Sequence, residues 1–591
     1  MDDGMLIDFN RLRRNAARLD ANKVFNWRAR CSIKVLLVTD GLLDFGMGDF
    51  SLGAFVRILK DRRPFYADFQ LTLAHLRIDL SPDLMEGAPE VHNSIRGFRF
   101  DNPAHFAYDM YDEMWLFGFE TNFHQPDYGP LRNSVNSPSD KLSDTELLQI
   151  SRHMADGRGV FATGDHGKLG KGLCGSVLRV RNMRHWDTFN GSTDDGSMIG
   201  PRRNDTTDKG NDAGSQFSDQ SDDIPQRLIL KLYSTQIGHL KSALYPHPVL
   251  CGTSGRIDVF PDHPHEGECK VPSDLSLDAI TGGKEYPEAI DGTGQVMPEV
   301  IATSNVPAGN VAQADIVGPL GMKYPTDPHS FGAISAYDGH RAVGKVGRVI
   351  CDSTWHHFVN VNLIGVIEGG FFDQSAETDE NGNLRPWHLS KADGFLFSPS
   401  GRAALAKIKN YYTNIAVWIA PSDKIKCFGK RFWWEIVYNH RIMEAALSNP
   451  DADAEKIPLK ALWSIGVHAR DVIGVRTSQC QTTEWIIAWI ENVWPEILPW
   501  IDPWRPLRDF QKLDDGPMPV IDPMPLVDIA LGAAIVAMRQ MFPFPPKDLE
   551  AKFDDVMVVA EKAARSALDR ANLQTEILIK NFTATLPAAT K

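Results

Sequence analysis

Gly157-Arg158-Gly159-Val160-Phe161-Ala162-Thr163-Gly164-Asp165-His166-Gly167 is the stretch whose reading decides the fold. Its short apolar run has the look of a parallel strand buried on both faces, and glycines then flank an acid and an imidazole where a helix should begin. In an open α/β sheet the carboxyl ends of the strands form the ligand crevice. Asp165 and His166 are therefore candidate catalytic residues, and His166 is a candidate metal ligand. The competing reading makes Asp165 a helix cap and His166 a packed side chain.

The same pattern repeats outward from this turn. Ile33 to Gly41 reads as a first parallel strand that ends in an Asp-Gly turn at Asp40, with a helix over Leu52 to Leu59. Phe69 to Ala74 and Asp112 to Gly118 supply a second and a third strand. Ser143-Asp144-Thr145-Glu146 fits a capping box, and Leu147, Leu148, Ile150 and Met154 keep helical spacing up to Gly157. Strand, capped helix and strand make a βαβ succession. The expected class is α/β, a three-layer sandwich with helices on both faces of a mostly parallel sheet. Gly46-Met47-Gly48 lacks the dinucleotide-binding spacing and reads as a tight turn.

Two later clusters carry chemistry. Pro261-Asp262-His263-Pro264-His265-Glu266-Gly267-Glu268 holds two histidines and two acids between His263 and Glu268. Its prolines keep the backbone extended or turned, so His263 and His265 can point the same way. Imidazole and carboxylate together suit zinc, iron or manganese, which makes His263, His265 and Glu266 candidate ligands. A solvated surface loop is the alternative. Further on, Gly347 to Cys351 reads as another buried strand ending in Asp352-Ser353-Thr354-Trp355-His356-His357. Asp40, Asp165 and Asp352 would then all stand at carboxyl ends of strands, and Asp352 and His356 join the candidate site, His356 also as a metal ligand. A cap for Asp352 and a core position for one histidine are the alternatives. Neighbouring residues on a helix point about 100° apart, so His356 and His357 cannot easily share one ion.

Composition bounds the rest. A chain of 591 residues exceeds what one core usually supports, and its net charge of −14 argues against a nucleic-acid partner. Seven cysteines, odd in number and without paired spacing, fit a reducing, cytoplasmic compartment. Cys174 reads as a small packing residue. Residues 1–30 are expected to form a helical extension and do not read as a signal peptide, and the apolar run Ile529 to Met538 reads as too short to span a bilayer. Asn190 to Asp223 is polar and Gly/Ser/Asp-rich, as a mobile insertion would be.

After a linker at 366–399 the character changes. Ala403 to Tyr411, Phe432 to Leu447, Lys460 to Val472, Thr482 to Val493, Val527 to Met541 and Asp548 to Ile579 read as helices of a second domain, 400–591. Nine of the fourteen tryptophans lie between Trp418 and Trp504, as in a tryptophan-rich core. The sharper alternative is a surface for a protein partner or homo-oligomer.

The succession Ile33 to Gly41, Tyr111-Asp112-Glu113, Asp144 to Met154, Gly159 to Gly167 and Gly347-Arg348-Val349 with its histidines resembles the class I glutamine amidotransferase-like fold, nearest to the trehalose-utilisation (ThuA-like) family, over roughly residues 31–365. His166 matches the histidine that this family carries at the elbow, and His356 or His357 the one after its late strand. Amidotransferases proper carry a cysteine at the elbow, where this chain has Gly164-Asp165-His166, so thiolate glutaminase chemistry is not expected. The resemblance implies a sugar-related small substrate. Two functions follow as expectations. One is a metal-dependent hydrolase or lyase, with Glu266 or Asp352 as general base. The other is a degenerate sheet domain serving as a binding or assembly module through the helices.

Overall fold

A computed structural model of the chain describes residues 30–62, 64–86, 91–121, 123, 141–165, 169–186, 226–237, 240–261, 267–306, 329–365, 395–396, 399–439, 441–442, 454–495, 498–504, 524–541 and 549–585. The extension before Arg30, the polar insertion and most of the linker lie outside the described residues.

The stretch around Val160 is a strand in the middle of a nine-stranded sheet. In chain order the strands are β1 (Cys31–Thr39), β2 (Ala67–His75), β3 (Asn93–Arg96), β4 (Glu113–Phe117), β5 (Gly159–Thr163), β6 (Ile229–Leu230), β7 (Glu299–Val306), β8 (His329–Tyr337) and β9 (Val349–Asp352). They lie side by side as β3-β2-β1-β4-β5-β9-β8-β7-β6. From β3 to β9 every pairing is parallel. The remaining pairings are antiparallel. The expected mostly parallel α/β sheet is present, with an antiparallel flank that the sequence did not announce.

Alternation within the strands sends side chains to two separate cores. Ile33, Val35, Leu37, Phe69, Leu71, Trp115, Phe117, Phe161 and Ile350 face one. Leu36, Val38, Met114, Leu116, Val160, Ala162 and Cys351 face the other. Burial on both faces is why these segments read as continuous apolar runs rather than as alternating ones. On the second face lies α2 (Asp144–Ala155), held by the capping box: Ser143 N–H donates to Glu146 Oε2 at 3.2 Å, and Glu146 N–H to Ser143 Oγ at 3.3 Å.

The first face is covered by α1 (Gly53–Asp61) and by helices from the end of the chain. These late helices are α4 (Pro399–Trp418), α5 (Ser422–Tyr438), α6 (Leu459–Gly474), α7 (Gln479–Val493), α8 (Met524–Met541) and α9 (Leu549–Thr585), with the short α3 (Asn360–Ile364) before them. One apolar cluster runs from β1 and β2 through α4 and α5 into α6 to α9. Gly159, first in β5, lies so near the Ile419 carbonyl that a Cβ would stand 2.1 Å from the oxygen, so any side chain would push the end of α4 off the sheet. Trp418, Trp433, Trp434, Trp485 and Trp489 are buried in this cluster, whereas Trp463 is exposed.

Two expectations need correction. Four of the seven cysteines are paired, as Cys31–Cys427 and Cys251–Cys480, each joining the sheet region to a late helix. Separations of 396 and 229 residues hid these pairs from any spacing argument. They also remove the basis for the reducing-compartment reading. The apolar run at Ile529 belongs to α8, an 18-residue helix long and apolar enough to cross a membrane, yet 67% of it is buried inside the protein.

Candidate functional site

Because β5 and β9 are parallel neighbours with Ala162 opposite Cys351, the turns that follow them emerge on one edge of the sheet. The turns are tied there. Trp355 N–H donates to Gly164 O at 2.8 Å, and Asp165 N–H to Leu169 O at 3.2 Å. Thr354 caps the short 3-10 turn Trp355–His357, its hydroxyl accepting from His356 N–H at 3.0 Å. The same hydroxyl donates to Asp165 Oδ1 at 3.0 Å, so the cap also fixes the carboxylate.

This brings two of the predicted residues together. His356 Nε2 stands 3.5 Å from Asp165 Oδ2, and His356 Nδ1 stands 3.0 Å from Asn362 Oδ1 in α3. Asp165 is 1% exposed and His356 8%, with the Trp355 ring 4.4 Å from the imidazole. With the Asn362 carbonyl as acceptor, Nδ1 carries the proton and the Nε2 lone pair faces a carboxylate oxygen. Two electron-rich atoms at that separation repel unless a proton or a metal cation stands between them.

The structure sends Asp352 elsewhere. Its carboxylate accepts from Tyr411 O–H of α4 at 2.7 Å and lies 2.9 and 3.0 Å from His357 Nδ1. Asp352, His357 and Tyr411 are all fully buried, the Phe260 ring lies 4.5 Å from the His357 ring, and Tyr412 O–H donates to the His357 carbonyl. Asp352 is thus fully buried and held by side chains of the fold, where it anchors α4 to the end of β9. It reaches the first pair through Thr354, whose N–H donates to Asp352 Oδ1 at 3.3 Å. Asp40 does similar work at the point where strand order reverses, accepting from the backbone N–H groups of Phe119 and Glu120 beyond β4. Cys174 is buried, and burial pushes its thiol up, as its packing role implied.

His166, His263, His265 and Glu266 lie outside the described residues. The flanks of the second cluster meet the end of β9: Phe260 packs on His357, and Gly267 N–H donates to Ser353 O at 3.1 Å. Among the described residues no group of three or more His, Cys, Asp or Glu side chains is arranged to hold a metal. Asp165 and His356 supply two donors. Clefts of about 580 Å³ beside Glu435, Arg441 and Arg476 and about 370 Å³ beside Asp144, Arg181 and Asp278 contain neither pair.

Sequence reasoning missed Thr354 and Asn362. Thr354 had a usable signal, since a threonine two residues before a histidine at a strand end is placed to cap the next turn. Asn362 had none, because its role is a contact made across a turn. No family model, curated protein or solved structure matches the chain.

Proposed function

We propose that the chain is a metal-dependent hydrolase or lyase of a small substrate, with Asp165 and His356 as two of its metal ligands. One observation carries the reading: His356 Nε2 and Asp165 Oδ2 stand 3.5 Å apart while Nδ1 is held by Asn362. Ligands at about 2.0–2.1 Å from a tetrahedral ion lie about 3.3–3.4 Å from each other, so the spacing suits two donors to one ion. A ligating histidine also characteristically donates its other ring N–H to an oxygen acceptor, as His356 does to Asn362.

Mixed imidazole and carboxylate donors suit zinc, iron or manganese. The remaining ligands would come from His166, His263 and His265. A bound metal would lower the pKa of a coordinated water or polarise a carbonyl. The chain's own part is to exclude water around Asp165, to hold its second oxygen by Thr354 and to orient the imidazole by Asn362. With Asp352 engaged by His357 and Tyr411, Glu266 is the carboxylate left for the general base. Strand order supports a doubly wound sheet, since the parallel strands β3-β2-β1-β4-β5-β9 run third, second, first, fourth, fifth, sixth, and leaving out the short edge strand β3 gives the flavodoxin-like order second, first, third, fourth, fifth. The sugar-related substrate rests on the family resemblance.

Calorimetric titration of metal-free protein with zinc tests this. One ion should bind, and His356→Ala or Asp165→Asn should weaken it at least about 100-fold while the circular dichroism spectrum is kept. Absence of binding to wild-type protein by zinc, iron(II) and manganese(II) would make the pair an imidazolium–carboxylate ion pair and sink the metal reading.

A further inference from the structure

Arg184 is buried to 1% exposure beneath the two turns that carry Asp165 and His356. Among the described residues its hydrogen bonds go to main-chain carbonyls. Nη2 donates to Asp165 O at 2.7 Å and to Ser353 O at 2.6 Å, and Nη1 to His185 O at 3.2 Å. The face of the guanidinium lies 4.2 Å from the Trp186 ring. A third segment closes on it: a Cβ on Gly267 would stand 2.0 Å from Nη2, so that position must stay bare, and Gly267 N–H shares the Ser353 carbonyl.

A buried guanidinium without a hydrogen-bonded carboxylate is costly, so a fold that keeps one needs its geometry. Here that geometry is a planar fork fixed by stacking, whose one nitrogen spans the carbonyl of Asp165 itself and the carbonyl next before Thr354. Asp165 and Ser353 follow adjacent parallel strands that no longer pair beyond Ala162 and Cys351. Past that point the turns are joined by Trp355 N–H to Gly164 O and by the Thr354 hydroxyl to Asp165 Oδ1, and Arg184 adds the bridge between the main-chain carbonyls of both.

We propose that Arg184 is the positioning residue of the site, and that its bridge between the Asp165 and Ser353 carbonyls sets the spacing of the Asp165 carboxylate from the His356 imidazole. This rests on the reading of that pair as metal ligands. Lysine keeps the charge but is a point donor on a flexible stem, so it cannot stack on Trp186 and span both carbonyls in one plane.

Two readouts on Arg184→Lys test the proposal. In a crystal structure of metal-free protein, the Asp165 Oδ2 to His356 Nε2 distance should change by more than about 0.5 Å, because the bridge no longer fixes it. In cobalt(II)-loaded protein, affinity should fall about 10–100-fold and the visible d–d bands should shift, which a residue supporting only the fold would not cause. An unchanged distance with unchanged bands overturns the proposal. If wild-type protein takes no cobalt or zinc, the metal reading fails and the distance by itself still decides the role of Arg184. Should Arg184→Lys not fold, Gly267→Ala, which keeps the guanidinium but crowds it, takes the same measurements. Failure of both to fold would assign Arg184 to the fold and overturn the proposal.

Discussion

Two acid–imidazole pairs stand side by side at the ends of β5 and β9, and they are held at different spacings by different neighbours. Asp352 and His357 are at 2.9–3.0 Å, fully buried, with Tyr411 donating to the carboxylate and Phe260 covering the ring. Asp165 and His356 are at 3.5 Å, with the imidazole nitrogen facing the carboxylate oxygen and the histidine 8% exposed. A buried pair whose partners are supplied by the fold stabilises a junction, here between the sheet and α4. A pair whose nitrogen and oxygen stand 3.5 Å apart has a spacing at which a ligand can join both. The difference between them comes from which neighbours arrive, since both are an acid and a histidine after a buried strand.

The largest effect expected lies on the pH axis and extends the closed class beyond its first member. His75, His153 and His247 are buried, and burial pushes each down to about 3, with Arg77 beside His75 and Arg158 beside His153 adding to the effect. Each therefore stays neutral when folded and takes up a proton near pH 6.5 when unfolded. The stability they contribute is complete above about pH 6.5 and is lost as the pH falls towards 3, at up to about 1.4 kcal/mol per pH unit for each. Urea unfolding should lose several kcal/mol between pH 7 and pH 5. A flat profile over that interval would show that these imidazoles are open to solvent, and the contrast would lose its closed side.

Next in size is the closed pair itself. His357→Ala leaves the Asp352 carboxylate buried with its imidazole gone and should cost about 3–5 kcal/mol by denaturant titration. Tyr411→Phe removes one donor and should cost about 1–3 kcal/mol. His356→Ala, at the open pair, should stay below both. Equal losses for His356→Ala and His357→Ala would erase the distinction.

How much of this the sequence held depends on what each signal encodes. β1, β2, β4, β5 and β9 were legible because burial on both faces forces apolar runs. β7 mixes Glu299, Thr303, Ser304 and Asn305 into its length and β3 is Asn-Ser-Ile-Arg, so neither run stands out. The late helices were legible by their period, except that the one expected from Phe432 begins ten residues earlier, at Ser422, but their docking on the sheet was not, since residues such as Ile419 and Tyr411 declare no partner. Asp165 and His356 were legible as strand-end residues. Asp352 matched the same local pattern, and what separates it from Asp165 is the Tyr411 phenol, 59 residues away, together with the His357 ring at 2.9 Å. Local sequence reports where a side chain leaves the backbone, and tertiary packing decides whether it is finished there.

The smallest effect sharpens the comparison most, because it changes the open pair without touching either of its facing atoms. Asn362→Ala removes the acceptor from His356 Nδ1. Since the ring keeps some exposure, water can replace the amide, and the stability loss should be about 1 kcal/mol. Metal affinity should nevertheless fall about 10-fold or more, because the imidazole no longer has its proton fixed on Nδ1 and its lone pair on Nε2. Asn362→Asp supplies the opposite change: a carboxylate accepts the same N–H more strongly and raises the basicity of Nε2, so zinc should bind at least as tightly as in the wild type. An ion pair without metal orders these variants differently. There the added carboxylate would favour imidazolium, the charged ring would no longer accept zinc, and zinc would leave the unfolding curve of every variant unchanged. Zinc-dependent stabilisation ranked Asn362→Asp, wild type, then Asn362→Ala would place the function at the open pair, whereas equal curves for all three would leave both pairs as parts of the scaffold.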